Sequence, residues 1–211
     1  MKAILTILLV AISSVAFSSK YEEVMKSNID KMYQLHTSAD LQNMANQFER
    51  IANAEADKWL PAYYAAYSYV RSTFFDNLDN DAKSVQLDKA QVILDGLMKE
   101  HSKESELYAL QALLYQLRIT DMISGAKYSG KASDAIAAAE KLNPENPRVY
   151  YLRGSNTFHT PKFVGGGPEK AKPDLEKAAA MFASQKPADP LAPTWGADHN
   201  QQLLSECNNA E

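Results

Sequence analysis

One short spacing recurs along this chain of 211 residues: a small residue, a large apolar residue four positions on, and a small residue three after that. It is clearest at Ala132, Ile136 and Ala139, returns at Ala171, Leu175 and Ala178, and occurs at Ala90, Leu94 and Leu97 with a larger third member. Ala45 and Ala52 keep only the two small positions. Offsets of four and seven put all three side chains on one stripe of a helix, where they can meet a neighbouring helix. The four leading alanines are separated by 45, 42 and 39 residues, a recurrence that signals stacked helical hairpins. Each hairpin buries its apolar face only against its neighbours, so the repeat dictates a stacked array and not a single compact core.

The unit that begins at Ala132 closes at Pro144 and is followed by Asn146-Pro147-Arg148-Val149-Tyr150-Tyr151-Leu152-Arg153-Gly154. With those residues the chain resembles the tetratricopeptide (TPR) repeat family. There, helix B carries the small, large, small pattern before a closing proline, and the next helix A carries a bulky aromatic and, four later, a small residue at the helix crossing. Tyr150 and Gly154 match the last two, and Tyr63, Tyr108 and Tyr150 share one repeat position. The resemblance spans residues 21–185 and implies an all-α fold: a right-handed superhelix of about four TPR-like antiparallel helix pairs with a C-terminal capping helix. The pairs are expected at 21–37 with 40–54, 58–76 with 83–100, 105–119 with 130–142, and 147–158 with 168–184. A TPR unit is about 34 residues, and the excess is expected in stretched loops between helices A and B. Pro173 should bend the last helix B or hold its start near 169. Residues 186–194, KPADPLAPT, read as a proline-rich connector, and a final helix at 195–208 should cap the array.

In TPR proteins the concave groove is lined by helix A positions two, five, nine, twelve and thirteen. In this sequence those positions hold Pro61, Tyr64, Ser68, Arg71 and Ser72, then Glu106, Ala109, Leu113, Gln116 and Leu117, then Arg148, Tyr151, Ser155, Phe158 and His159. Tyr64, Ser68, Arg71, Gln116, Arg148, Tyr151, Ser155, Phe158 and His159 are therefore the candidate binding residues implied by the resemblance. Tyrosine and arginine among small polar groups suit a peptide or a compact organic ligand. The paired Lys and Asn of a carboxylate clamp are absent from the set.

Residues 1–18, MKAILTILLVAISSVAFS, have the early charge, apolar run and small-residue end of a secretory signal peptide. Cleavage after Ser18 would leave a single domain, 19–211, exported to a periplasmic or secreted location. Its apolar run is too short and too interrupted by serine to span a bilayer, which needs about 20 apolar residues. Membrane insertion after cleavage is not expected. The chain carries 22 Lys plus Arg against 26 Asp plus Glu, a net charge of -4, which disfavours nucleic acid as a partner. Its single cysteine, Cys207, excludes an internal disulfide framework; it is expected to pack on the capping helix or to be simply free, with a link to another chain as the further alternative.

Other candidates for chemistry are weak. Gly165, Gly166 and Gly167 before Pro168 could turn backbone N–H groups toward an anion, yet no Gly-Lys-Ser/Thr follows, so a structural loop is the better reading. This stretch also resembles a Thr-Pro-Lys-aromatic-x-Gly-Gly insertion of secreted bacterial TPR-like proteins. His36, His101, His159 and His199 have no metal-ligand spacing. No nucleophile elbow, selected carboxylate pair or cofactor motif is present, so neither an enzyme nor a metal or cofactor site is expected. The favoured expectation is an exported interaction module that binds a protein or peptide segment in its groove. The alternative is a small-ligand-binding accessory component of an envelope transport system, which predicts an enclosed, aromatic-lined cavity where the first predicts an open groove.

Overall fold

The computed structural model of the chain describes residues 20–186 and 189–209. The segment read as a signal peptide, 1–18, lies outside them. Nine α-helices and one short 3-10 helix make up the regular structure of the described residues, with no strand among them. They are α1 (residues 20–34), α2 (Ser38–Ala54), α3 (Leu60–Ser72), α4 (Asn80–Glu100), α5 (Ser105–Leu117), α6 (Met122–Leu142), α7 (Pro147–His159), α8 (Pro168–Ser184) and α9 (Ala197–Asn209), with the 3-10 turn at Lys162–Val164. Helices α2 and α3, α3 and α4, α5 and α6, and α7 and α8 pack as successive neighbours, and α9 lies on α8 as the C-terminal cap. The architecture is the TPR-like superhelix of four antiparallel pairs, with α1, α3, α5 and α7 as helices A.

The repeat register reappears in the burial. Ala90, Leu94 and Leu97, Ala132, Ile136 and Ala139, and Ala171, Leu175 and Ala178 are all buried, as are Ala45, Tyr63 and Tyr150. Each helix A of α3, α5 and α7 has 13 residues and is set at its start by local chemistry. Pro61 and Pro147 occupy first-turn positions where no N–H partner is needed, and the Asn146 side chain accepts from Arg148 N. Tyr108 Oη donates to the Ser102 carbonyl (3.1 Å) and Tyr150 Oη to the Pro144 carbonyl (3.0 Å), so the shared aromatic fastens the turn that enters its own helix.

The excess length falls differently in each pair: it is a stretched inner connection, 160–167, before α8, a stretched connection, 73–79, before a slightly early α4, and an N-terminal extension of helix B itself in α6, which follows α5 after the short connection 118–121. Helices α4 and α6 have 21 residues, against 17 in α2 and α8. The Asp79 side chain caps α4 through Ala82 N (2.8 Å), and Asp121 and Ser124 cap α6 reciprocally, starting it at 122 and not at 130. Pro173 is accommodated inside α8, which begins at Pro168.

Gly154 marks the closest approach within the last pair. A Cβ built there would fall 2.6 Å from Leu175 Cδ2 and 3.3 Å from the Leu175 backbone nitrogen, so the crossing of α7 and α8 needs glycine. The cap is joined to this pair by Asn200 Nδ2, which donates to the Leu175 carbonyl (3.0 Å), and by buried Leu203, Leu204 and Cys207.

Candidate functional site

Residues 189–196, between α8 and α9, form a strap laid against the helix A surface. Pro190 and Pro193 lack backbone donors, so the segment cannot continue α8 as a helix. Asp189 instead turns it, accepting from Leu191 N (2.8 Å) through its side chain and from Ala192 N (3.0 Å) through its carbonyl. Gly196 ends the strap at φ 107°, and a Cβ there would sit 3.0 Å from Phe182 Cζ and 3.2 Å from Tyr151 Cδ1. Positive φ and this crowding both demand glycine.

Two apolar side chains drive the docking. Leu191 and Trp195 are buried, an unusual environment for members of a connector. The Trp195 ring stacks on Tyr67 (centroids 5.5 Å apart), meets Tyr151 edge-on at 6.3 Å, and donates through Nε1 to Tyr63 Oη (2.7 Å). Tyr63 thus takes a partner in the strap where Tyr108 and Tyr150 bond the preceding turn. Tyr64 Oη donates to the Leu191 carbonyl (2.7 Å), and Arg148 Nη2 donates to the Pro193 carbonyl.

The strap divides the residues that the TPR resemblance assigns to the groove. Tyr64, Ser68 and Arg148 lie buried under it or beside it. Ser68 Oγ bonds its own helix at the Tyr64 carbonyl, and Arg148 pairs through Nη1 with Glu106 Oε1 (3.1 Å). Arg71, Gln116, Tyr151, Ser155 and His159 instead line a common cavity of about 1170 Å³. Phe158 packs half-buried against the core. The cavity walls also include Tyr33, Tyr67, Phe74, Trp195, His36 and His199, none of which is among the groove positions the resemblance assigns.

An aromatic wall runs along one side, from Tyr33 to Tyr67 (6.3 Å), then to Trp195 and Tyr151. Burial pushes the hydroxyl pKa values of Tyr33, Tyr67 and Tyr151 up, so these groups are neutral phenols at neutral pH. Arg71 and Lys83 supply positive charge against the single lining carboxylate of Asp198. Arg71 is held in place by donation to the Tyr33 carbonyl (2.9 Å) and by the faces of Tyr33 and Phe75, 5.6 and 5.5 Å away. Partial burial, and then the neighbouring His159, push the His199 pKa down. A flat, largely apolar ligand with a negatively charged edge matches these walls.

The glycine loop has a structural role. Gly165 N, Gly166 N and Gly167 N donate to the carbonyls of Lys162, Pro161 and Thr157, at 3.0, 3.2 and 2.9 Å, which leaves none of the three for an anion. No group of three or more His, Cys, Asp or Glu able to hold a bare metal ion occurs among the described residues. Nor is any described helix long and apolar enough to cross a membrane.

No family model matches the chain, and no curated protein does. Among solved structures, the HusA haemophore from Porphyromonas gingivalis is similar over 90% of this chain and 94% of its own, with 28% identity and a TM-score of 0.80. A thermophilic TPR protein of Thermus thermophilus is similar over 82% of each chain, with 14% identity and a TM-score of 0.45. The similarity to the haemophore covers nine-tenths of this chain, so the two chains share a TPR-like all-helical fold.

Proposed function

We propose that this protein is an exported carrier that binds haem or a closely related porphyrin in the cavity between helices A and the C-terminal strap, and that it binds and releases this ligand without transforming it. The observation that carries the proposal is the aromatic-walled cavity of about 1170 Å³ with cations at Arg71 and Lys83. Its volume exceeds the roughly 300–1,000 Å³ usual for small-ligand sites, which favours a large, flat occupant. A porphyrin presents broad apolar faces to aromatic walls and carboxylates to cations. The similarity to a protein named as a haemophore, over almost the whole of both chains, points to the same class of ligand.

This reading is the small-ligand alternative drawn from the sequence, with the ligand class made specific. A peptide laid along the groove would have to displace Trp195 and break its bond to Tyr63, because the strap already covers Tyr64 and Arg148. The signal-peptide pattern supports export.

The test is a titration of residues 19–211 with ferric haem and with iron-free protoporphyrin IX, followed by absorbance and by quenching of tryptophan fluorescence. Saturable binding of both is expected, with Trp195→Phe losing most of the quenching and Trp59→Phe retaining it. Absence of saturable binding by either compound would overturn the proposal.

A further inference from the structure

In a stack of antiparallel pairs the helices A run parallel, so the connections from each helix A to its helix B lie along one edge. The cavity reaches this edge, since Phe74 after α3, Ile119 and Thr120 after α5, and Asn156 and His159 in the last turn of α7 all line it. Two elements stand out between α5 and α8. One is the start of α6, residues 122–131, where the helix is capped and continuous although none of its side chains is buried. The other is the 3-10 turn Lys162–Val164 in the connection to α8. Their tips are apolar: Met122 and Ile123 are 85 and 84% exposed, Phe163 83% and Val164 60%. Grouped exposed apolar side chains of this size mark an interaction surface.

Charge is segregated in the same way. Residues 118–131 and 159–172 hold six Lys or Arg against two Asp or Glu, whereas the rest of the chain holds sixteen against twenty-four. Arg118 is paired with Asp88 (2.7 Å), but Lys127, Lys131, Lys162 and Lys170 are exposed and form no ion pair among the described residues. Lys127 and Lys131 lie over the ring of Tyr128 (4.9 and 5.8 Å), which stacks on Tyr115. The α3–α4 connection on the same edge is acidic, with Asp76, Asp79 and Asp81, which confines the cationic stretch to the half between α5 and α8.

Protruding apolar tips flanked by lysines match a layer that is anionic at its surface and apolar just beneath, and tyrosine beside lysine suits the headgroup level. A protein partner would need a pocket shaped to each tip, whereas acyl chains accept tips of any shape. Docking of this kind needs no membrane-spanning helix. We infer that the edge formed by 122–131 and 162–164 docks this protein on the surface of an anionic lipid bilayer. Met122, Ile123, Phe163 and Val164 enter the acyl boundary, and Lys127, Lys131, Lys162 and Lys170 meet the headgroup phosphates. The cavity then meets the bilayer at the docked edge. None of these eight residues lines the cavity, so the inference stands apart from the porphyrin reading.

The experiment uses residues 19–211, which hold every described helix and leave out the apolar run at 3–12. They are sedimented with vesicles of phosphatidylcholine alone and of phosphatidylcholine with about one third phosphatidylglycerol, in low and in high salt. Saturable binding to the anionic vesicles is expected, at least about 10-fold weaker on phosphatidylcholine alone or in high salt. Ile123→Ser/Phe163→Ser and Lys127→Gln/Lys162→Gln should each weaken it at least about 10-fold. Val92→Ser, which removes an apolar side chain 73% exposed halfway along α4, should bind as wild type does. Tryptophan emission of Phe163→Trp should shift to the blue on anionic vesicles, and that of Val92→Trp should not. Melting curves, expected to match wild type because every altered side chain is exposed, separate lost docking from lost fold. No binding to anionic vesicles, equal binding to both kinds, double variants that bind as tightly as wild type, or an unshifted Phe163→Trp emission would each overturn the inference and leave the carrier reading standing. Failure of haem and protoporphyrin to bind would overturn the carrier reading and leave the docking standing.

Discussion

Replacing Arg148 with methionine should destabilise the fold by about 3–5 kcal/mol, because it strips one partner from a buried ion pair. The Arg148 side chain is fully buried and that of Glu106 is only 20% exposed. Removal of the guanidinium leaves Glu106 Oε1 without its 3.1 Å contact, beside an Oε2 that is already buried without a partner. It also orphans the Pro193 carbonyl and takes a cation from the face of Trp195, 5.3 Å away. For a domain of this size the loss corresponds to a fall in Tm of roughly 6–20 °C. Methionine fills much of the arginine volume, so the loss reports charge and hydrogen bonding more than a cavity. The double variant Arg148→Met/Glu106→Leu should recover most of the stability, because both charges leave together with the orphaned Glu106 Oε2 and Arg148 Nε. Urea unfolding followed by circular dichroism measures all three proteins. A single variant within about 1 kcal/mol of wild type, or a double variant less stable than the single, would refute the reading of Arg148 as a buried structural cation.

Burial raises the Glu106 pKa above its ordinary value of 4.5, with Arg148 opposing the rise, so its effect on stability has a definite sign. A carboxyl whose folded pKa is raised favours the fold below 4.5 and loses that contribution as pH climbs through the raised value. Tm measured from pH 4 to 7.5 should therefore fall for wild type relative to Glu106→Gln as pH rises, and parallel curves would argue against a buried carboxyl. Gly154→Leu should overpack the crossing of α7 with α8 and cost roughly 1–3 kcal/mol, whereas Gly96→Ala, with nothing within 4 Å of its Cβ, should gain up to about 0.5–1 kcal/mol within the C-terminal part of α4. Chemical denaturation of the two variants tests the repeat register, and equal stabilities would reject it. Cys207 is buried and its thiol donates to the Pro168 carbonyl (3.4 Å), so an aromatic disulfide reagent should react with it only at the rate of opening of α9. Immediate stoichiometric reaction in native buffer would count against that packing.

The register of the array was legible because it is written locally. Ala132, Ile136 and Ala139 declare one helix face within a span of eight residues, and Asn146-Pro147 declares the next helix start. The early starts of α4 and α6 were harder to read. Asp79 and Asp121 introduce segments containing Ser84, Gly125, Ser129 and Gly130, whose intrinsic helix preference is low, and the side-chain caps start the helices there although no residue of 80–85 or 122–131 is buried. The capping relation of Asp121 with Ser124 was the available signal.

The cavity depended on contacts that no local spacing encodes. The helix A positions brought Arg71, Gln116, Tyr151, Ser155 and His159 to one surface, but the far wall comes from α1 and from the strap. A connector rich in proline looks like a tether. Leu191 and Trp195, two apolar side chains in a segment with few backbone donors, were the residues that could have betrayed its docking. The histidines at 36, 159 and 199 come to one cavity from the end of α1, from α7 and from the cap.

The strap also changes the kind of folding unit this array can be. In an open stack of repeats, stability is a sum of nearest-neighbour terms, and either end can fray while the rest stays intact. Here the Trp195 to Tyr63 bond spans 132 positions and the Tyr64 to Leu191 bond spans 127, which ties the second hairpin to the terminal cap. Detaching the cap therefore removes a wall of the cavity, and an occupant that touches Trp195 restrains the end of the chain. Subglobal opening at the C-terminus and release of the proposed occupant should then be one linked equilibrium.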